Sequence, residues 1–177
     1  SFAGHQVSHW ISTYQESNAE PPLIQTAIDD FGPVVSLPGA EEQPQDAAKI
    51  CVDLTAGAEP NELNSGLSKV ARFVNIYRQA GAEPVRCQII VVIHGGATSI
   101  GLENDAYREL FGGADNPNLG LIKDLHDAGV RFVVCGQSMN AKDYPADRLA
   151  PQVELAVSAL SANVNRQAAG YAMISLP

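Results

Sequence analysis

The sequence is short of positive charge, short of cysteine, and has no long apolar run. Eleven Lys and Arg stand against twenty Asp and Glu, a formal charge of −9. No Lys/Arg cluster offsets that balance, and an acidic chain repels phosphates, which argues against nucleic acid as a partner. The longest aliphatic run, Ile89-Ile90-Val91-Val92-Ile93, falls far below the ~18 residues of a membrane span. Three cysteines, Cys51, Cys87 and Cys135, are too few for a disulfide scaffold, and an odd count leaves at least one free or intermolecular.

Several motifs are missing as well. No G-x-G-x-x-G follows an apolar run, and no Gly-Lys-Ser/Thr loop is present to cradle phosphate, so neither nucleotide motif supports a cofactor. The absence of G-x-S-x-G removes a hydrolase-type serine nucleophile. No C-x-x-C or paired-His spacing suggests zinc. A cysteine-phosphatase loop needs a guanidinium close behind its cysteine. Cys135 is followed by Gly, Gln, Ser, Met, Asn, Ala and then Lys142, which disfavours that class. No metal and no cofactor are called for.

What is present suits one globular core. The 177 residues are 45% hydrophobic, close to the ~45–50% of ordinary globular proteins. The charge is unevenly spread. Residues 1–48 hold Glu16, Glu20, Asp29, Asp30, Glu41, Glu42 and Asp46, no Lys or Arg, and five of the eleven prolines. They read as an acidic, Pro-containing arm, extended or partly ordered. Phe2, Trp10, Ile11, Leu23, Ile24, Ile28 and Phe31 would let it pack on the body or on a neighbouring subunit. The chain opens on Ser1 rather than Met. An acidic start after a removed leader fits a periplasmic or exported bacterial protein, and a trimmed sequence fits equally well.

Residues 49–177 alternate regularly. Ile50–Thr55, Arg86–His94, Arg131–Cys135, Val153–Ser158 and Tyr171–Leu176 read as strands, the second and third apolar enough to be covered on both faces. Between them lie helical patterns. Leu63, Leu67, Val70, Val74 and Tyr77 form one apolar face over residues 64–79, ended by Gly81 and Glu83-Pro84. Further helices are expected around Ala106–Phe111, over Leu119–Ala128, and between Ala159 and Ala169. Strands alternating with helices imply right-handed βαβ units, hence an α/β domain: three layers, α/β/α, with a mainly parallel sheet of these five strands.

In such sheets ligands sit beyond the carboxyl ends of the strands. Two segments fall there: His94-Gly95-Gly96 and Cys135-Gly136-Gln137. Cys135 closes a strand and precedes a turn-permitting Gly136, so its thiol would face a helix N-terminus and free N–H groups, which favour thiolate. The plainer role is a small hydrophobe in the core. His94 could pair with that thiolate or cap a buried strand on a backbone carbonyl. Gly95-Gly96 permits close approach of the backbone. Cys51 and Cys87 fall near the starts of their strands and read as packing residues, with a bridge open to them if those strands are neighbours. His126 sits beside Asp124 and Asp127 and reads as a solvated face. His5 and His9 lie in the arm.

From about Lys49 to Leu176 the chain resembles the DsrE/DsrF-like family of small sulfur-handling proteins. The resemblance rests on Gly66-Leu67 through Ala71-Arg72-Phe73 with Asn75 and Tyr77, and on Val92-Ile93-His94-Gly95. Ala106-Tyr107-Arg108, Asn116-Pro117-Asn118, Val133-Val134-Cys135-Gly136-Gln137 and Gly170-Tyr171 continue it. The resemblance implies a five-stranded, Rossmann-like α/β/α domain that assembles as a homotrimer or hexamer, partnered by sulfur-donor or sulfur-acceptor proteins. It also implies sulfane sulfur carried as a persulfide on Cys135. On the residues' own placement, His94 would be an auxiliary polar group, the backbone of Gly136 and Gln137 would stabilise the sulfur anion, and Gly95-Gly96 would line the ligand site. Any activity would be that of a sulfurtransferase-like carrier. The alternative is a non-enzymatic oligomeric module that binds a small anionic or nucleotide-like ligand at the same strand ends. Apolar surface for self-association is expected on the helix over residues 64–79 and on the strand-end loops.

Overall fold

The computed structural model of the protein describes residues 20–177; Phe2, His5, His9, Trp10 and Ile11 lie outside the described residues. The five apolar runs all form strands: β1 (Ala48–Leu54), β2 (Cys87–Ile93), β3 (Arg131–Cys135), β4 (Val153–Ala156) and β5 (Ala172–Leu176). They pair in the order β4-β3-β2-β1-β5, and every pairing is parallel. The three central strands are buried on both faces because helices cover both.

Strand alternation sorts the core into two parts. Val52, Leu54, Ile89, Val91, Ile93, Phe132 and Val134 point to one face. There they meet α1 (Ser65–Asn75) and α3 (Leu119–Ala128) through Leu67, Val70, Val74, Leu121, Ile122 and Leu125, all essentially inaccessible to solvent. Burial of each such side chain is worth ~1.5–3 kcal/mol. Cys51, Ile90, Val92, Val133 and Cys135 point to the opposite face, where α5 (Ala159–Ala168) packs against β1, β2 and β5.

The structure differs from the sequence pattern in three places. The helix expected over residues 64–79 changes pitch: α1 stops at Asn75 and Ile76–Ala80 continues as one π-turn. Two short helices have too few residues to show a period: a 3₁₀ segment over Gly95–Gly101, and α4 (Gly136–Ala141), which lies between β3 and β4. The remaining helix, α2 (Asn104–Leu110), falls where the Ala106–Phe111 pattern put it. The expected apolar outer surface also differs in part. The face of α1 is turned inward, and the exposed large apolar side chains include Val157, in the loop after β4, and Leu160 and Val164 on α5.

Residues 20–48 are knitted to the body. Ile24 is fully buried, and its N–H donates to the Cys87 carbonyl at 2.7 Å, giving an isolated antiparallel bridge at the edge of the core. Asn75, at the end of α1, is 2% exposed. Its amide nitrogen donates to the carbonyls of Ile28, Phe31 and Gly32, and its oxygen accepts from the Ile28 N–H at 2.7 Å. Gly32 holds φ at +58°, and a Cβ there would stand 2.3 Å from the Arg72 nitrogen. Among the described residues no helix is long and apolar enough to cross a membrane.

Candidate functional site

A second polar network braces the carboxyl ends of the strands. Asn64, Asn116 and Asn118 are all buried. Asn118 accepts from the Asn64 N–H, Asn64 donates to the Ala56 carbonyl, and Asn116 donates to the carbonyls of Ile100 and Leu102. Asn118 also donates to Asn116. The Asn116-Pro117-Asn118 motif therefore holds the loops after β1 and β2 in place, since buried amides left unpaired would each cost ~1–3 kcal/mol.

On this frame the carboxyl ends of β2 and β3 lie side by side. The pairing of these two strands runs from Ile90 with Arg131 to Ile93 with Val134. His94 and Cys135 are the next residue along each, on strands ~4.8 Å apart. His94 keeps extended backbone (φ −157°), so it shares the face of Ile90 and Val92, which is the Cys135 face.

Cys135 is 5% exposed. It is the N-cap of α4, and its sulfur accepts from the Ser138 N–H at 3.4 Å. Burial pushes this thiol up. The Ser138 hydroxyl and the backbone N–H groups of Ala159, Ser138 and Gln137 more than offset it, so the net shift is below the ordinary thiol value. The donors come from α4 and from the first turn of α5. Ser138 also ties in the β2 loop, because its oxygen accepts from the Gly95 N–H at 3.5 Å.

The other two cysteines are placed differently. Both are free and wholly buried, and burial pushes each up to about 12. Cys87 opens β2, whereas Cys51 is mid-strand because β1 begins two residues before Ile50. They point to opposite faces of the sheet, and Cys87 pairs in register with Ala48 rather than Cys51. The bridge left open by the sequence is therefore not made.

His94 engages a residue the sequence reading did not single out. Its Nε2 lies 2.8 Å from Asp53 Oδ1, and Asn163 of α5 donates to the same oxygen at 2.7 Å. A lone acid in the apolar run Ile50–Leu54 was the available signal for Asp53. Asn163 and Ser138 carry none, because they reach the site only through tertiary packing.

The glycines are placed by backbone contact. Gly95 holds φ at +58°, and a Cβ on Gly96 would stand 2.8 Å from the Gly57 nitrogen. On Gly136 a Cβ would stand 3.0 Å from the Ala156 carbonyl oxygen. The close approach at these positions is therefore between the protein's own loops. Gln137 is exposed, and its amide donates to the Val157 carbonyl at 3.2 Å. His126 is exposed on α3, 3.7 Å from Asp127. Among the described residues no group of three His, Cys, Asp or Glu is arranged to hold a metal.

Removal of the Ser138 hydroxyl tests the electrostatics directly. A hydrogen bond to a charged group is worth ~1.5–3 kcal/mol and one pH unit is ~1.4 kcal/mol, so Ser138→Ala should raise the pH midpoint of Cys135 alkylation by about one unit. The sign follows from losing a donor that favours the thiolate. An unchanged midpoint would mean the backbone donors suffice.

Compared with known proteins, residues 49–176 match the DsrE/DsrF-like family. A solved structure, a protein of unknown function from Methanobacterium thermoautotrophicum, shares the fold with a TM-score of 0.55 at 21% identity, over 73% of this chain and 99% of that one. No curated protein matches the chain.

Proposed function

This chain belongs to the DsrE/DsrF-like family, and from that premise we propose that it works in sulfur relay, with Cys135 carrying sulfane sulfur as a persulfide. The observation that carries the reading is the set of donors on one sulfur. Of three cysteines, only Cys135 has its thiolate favoured, and it alone ends a strand. A thiolate attacks a polarised S–S bond, and the persulfide so formed passes its outer sulfur on by the same exchange. The N–H groups of Gln137, Ser138 and Ala159 stabilise the sulfur anion, and His94, at the end of the neighbouring strand, is the auxiliary polar group. Exposure to inorganic polysulfide followed by persulfide-selective labelling and peptide mapping should place the label on the Cys135 peptide. Label on Cys51 or Cys87 instead would overturn the assignment.

One observation favours a second reading. Cys135 is 5% exposed, as a lining residue of a non-enzymatic ligand-binding module would be. That reading predicts an inert thiol, whereas a carrier needs one that reacts.

Self-association belongs to the same proposal. Val157, just after β4, and Leu160 and Val164 on α5 are 58%, 80% and 63% exposed, and the first turn of α5 meets Cys135. Apolar stripes of this kind mark interaction surfaces. Light scattering should find a species well above 18.7 kDa; a monomer at micromolar concentration would count against it.

A further inference from the structure

The face that carries Cys135 also carries an aligned set of polar side chains that sulfur binding alone does not use. Asp53 lies on β1, His94 directly follows β2 and Cys135 ends β3. These are three adjacent strands, and the three side chains share the face covered by α5. The hydrogen bonds among them run in one direction. The Cys51 thiol donates to Asn163 Oδ1 at 3.8 Å, which fixes the orientation of that amide. Asn163 Nδ2 then donates to Asp53 Oδ1. A carboxylate oxygen only accepts, so in the 2.8 Å contact with His94 the hydrogen belongs to Nε2. That leaves Nδ1 as the ring nitrogen able to take or release a proton.

We propose that Asp53 is a positioning residue for Cys135 chemistry: it holds His94 in the Nε2–H tautomer, so that Nδ1 exchanges the Cys135 proton. This rests on the sulfur-carrier reading for its reaction and adds the residue that orients the base. Cys135 passes its proton to Nδ1, and the thiolate attacks the outer sulfur of a persulfide donor, R–S–SH. The Sγ–S bond forms as the donor's S–S bond breaks, and the electron pair of that bond leaves on the donor sulfur. The imidazolium returns the proton to the leaving thiolate. Cys135 ends as the persulfide and the donor as R–SH, with no net oxidation or reduction. The logic is that of a base oriented by a third group, which fixes its tautomer through the far nitrogen.

A purely structural role, tying α5 to the sheet, predicts something else. It would cost stability when Asp53 is removed but leave Cys135 chemistry unchanged. Nitrogen-15 spectra of the imidazole separate the two. Wild-type protein should show His94 protonated on Nε2 only, and Asp53→Ala should show a mixture of tautomers. General acid–base assistance contributes ~10²–10⁴-fold, and losing the orienting group forfeits part of it. Asp53→Ala should therefore slow both iodoacetamide alkylation of Cys135 and sulfur uptake from a small persulfide by roughly ten- to a hundredfold. The double variant with His94→Ala should react no more slowly than His94→Ala alone, because residues acting as a unit are not additive. Asp53→Asn carries the same test if Asp53→Ala fails to fold. A wild-type Nδ1–H tautomer, an Asp53 variant reacting at the wild-type rate, or additive effects in the double variant would each overturn the proposal. If wild-type protein takes up no sulfur at all, the carrier reading falls, and the tautomer and alkylation results still decide this one.

Discussion

At neutral pH, Cys135 should take up iodoacetamide at least about thirtyfold faster than Cys51 or Cys87. The magnitude follows from thiolate populations. Burial holds Cys51 and Cys87 at about 12, while the donors on Cys135 bring it below the ordinary 9.0. A gap of three units or more is a thiolate ratio of roughly a thousand. Nucleophilicity falls with basicity, with a Brønsted slope of ~0.4–0.5, which takes back a factor of about 16–32. Access adds to what remains, because Cys135 closes its strand and is 5% exposed whereas the other two are fully enclosed. The sign with pH is fixed by the direction of the shift. Cys135 labelling should rise through a midpoint below that of a free thiol, while Cys51 and Cys87 should still be climbing at the top of the accessible range. Timed alkylation with peptide mapping reads all three at once. Equal labelling of Cys51 would contradict the account.

The second large effect is structural. Asn75→Ala removes one amide that closes hydrogen bonds to Ile28, Phe31 and Gly32 while 2% exposed. Each bond is worth ~1 kcal/mol net, and buried carbonyls left unpaired cost more. The expected loss is about 3 kcal/mol, against a total stability of ~5–15 kcal/mol for a typical domain. For a chain of this length it corresponds to a melting temperature about 6–12 °C lower. Residues 20–48 should become the first site of limited proteolysis, because Asn75 is what fixes them to α1. Gly32→Ala should act in the same direction, since a Cβ there meets the α1 backbone at a left-handed φ. A variant that melts within a degree of wild type would show that the other ties, the Ile24 bridge to Cys87 and the Arg86–Asp46 pair among them, hold the segment without Asn75.

The fold was legible because its strands are short apolar runs between turn residues, and every one of the five is present. Arg131–Cys135 and Leu119–Ala128 match to the residue. The parts that were not legible fail for physical reasons. The π-turn at Ile76–Ala80 keeps an apolar period that fits an ordinary helix, and only packing distinguishes the two. The six residues of α4 are too few to show any period. At the site, Cys135 and His94 could be read from their places at strand ends, but their adjacency depends on strand order, which no local pattern encodes. Asp53 announced itself as an acid in an apolar strand. Asn163 comes from the far end of the chain, and Ser138 gains its meaning from the turn that folds it back over the sulfur.

The central claim is that Cys135 is where sulfur is held. The measurement that bears on it most directly is intact mass after exposure to inorganic polysulfide, for wild-type protein and for Cys135→Ser, Cys51→Ser and Cys87→Ser. The account predicts a thiol-reversible gain of one sulfur atom in wild type and in the Cys51 and Cys87 variants, and none in Cys135→Ser. A wild-type mass that does not change, or an equal gain in Cys135→Ser, would contradict it.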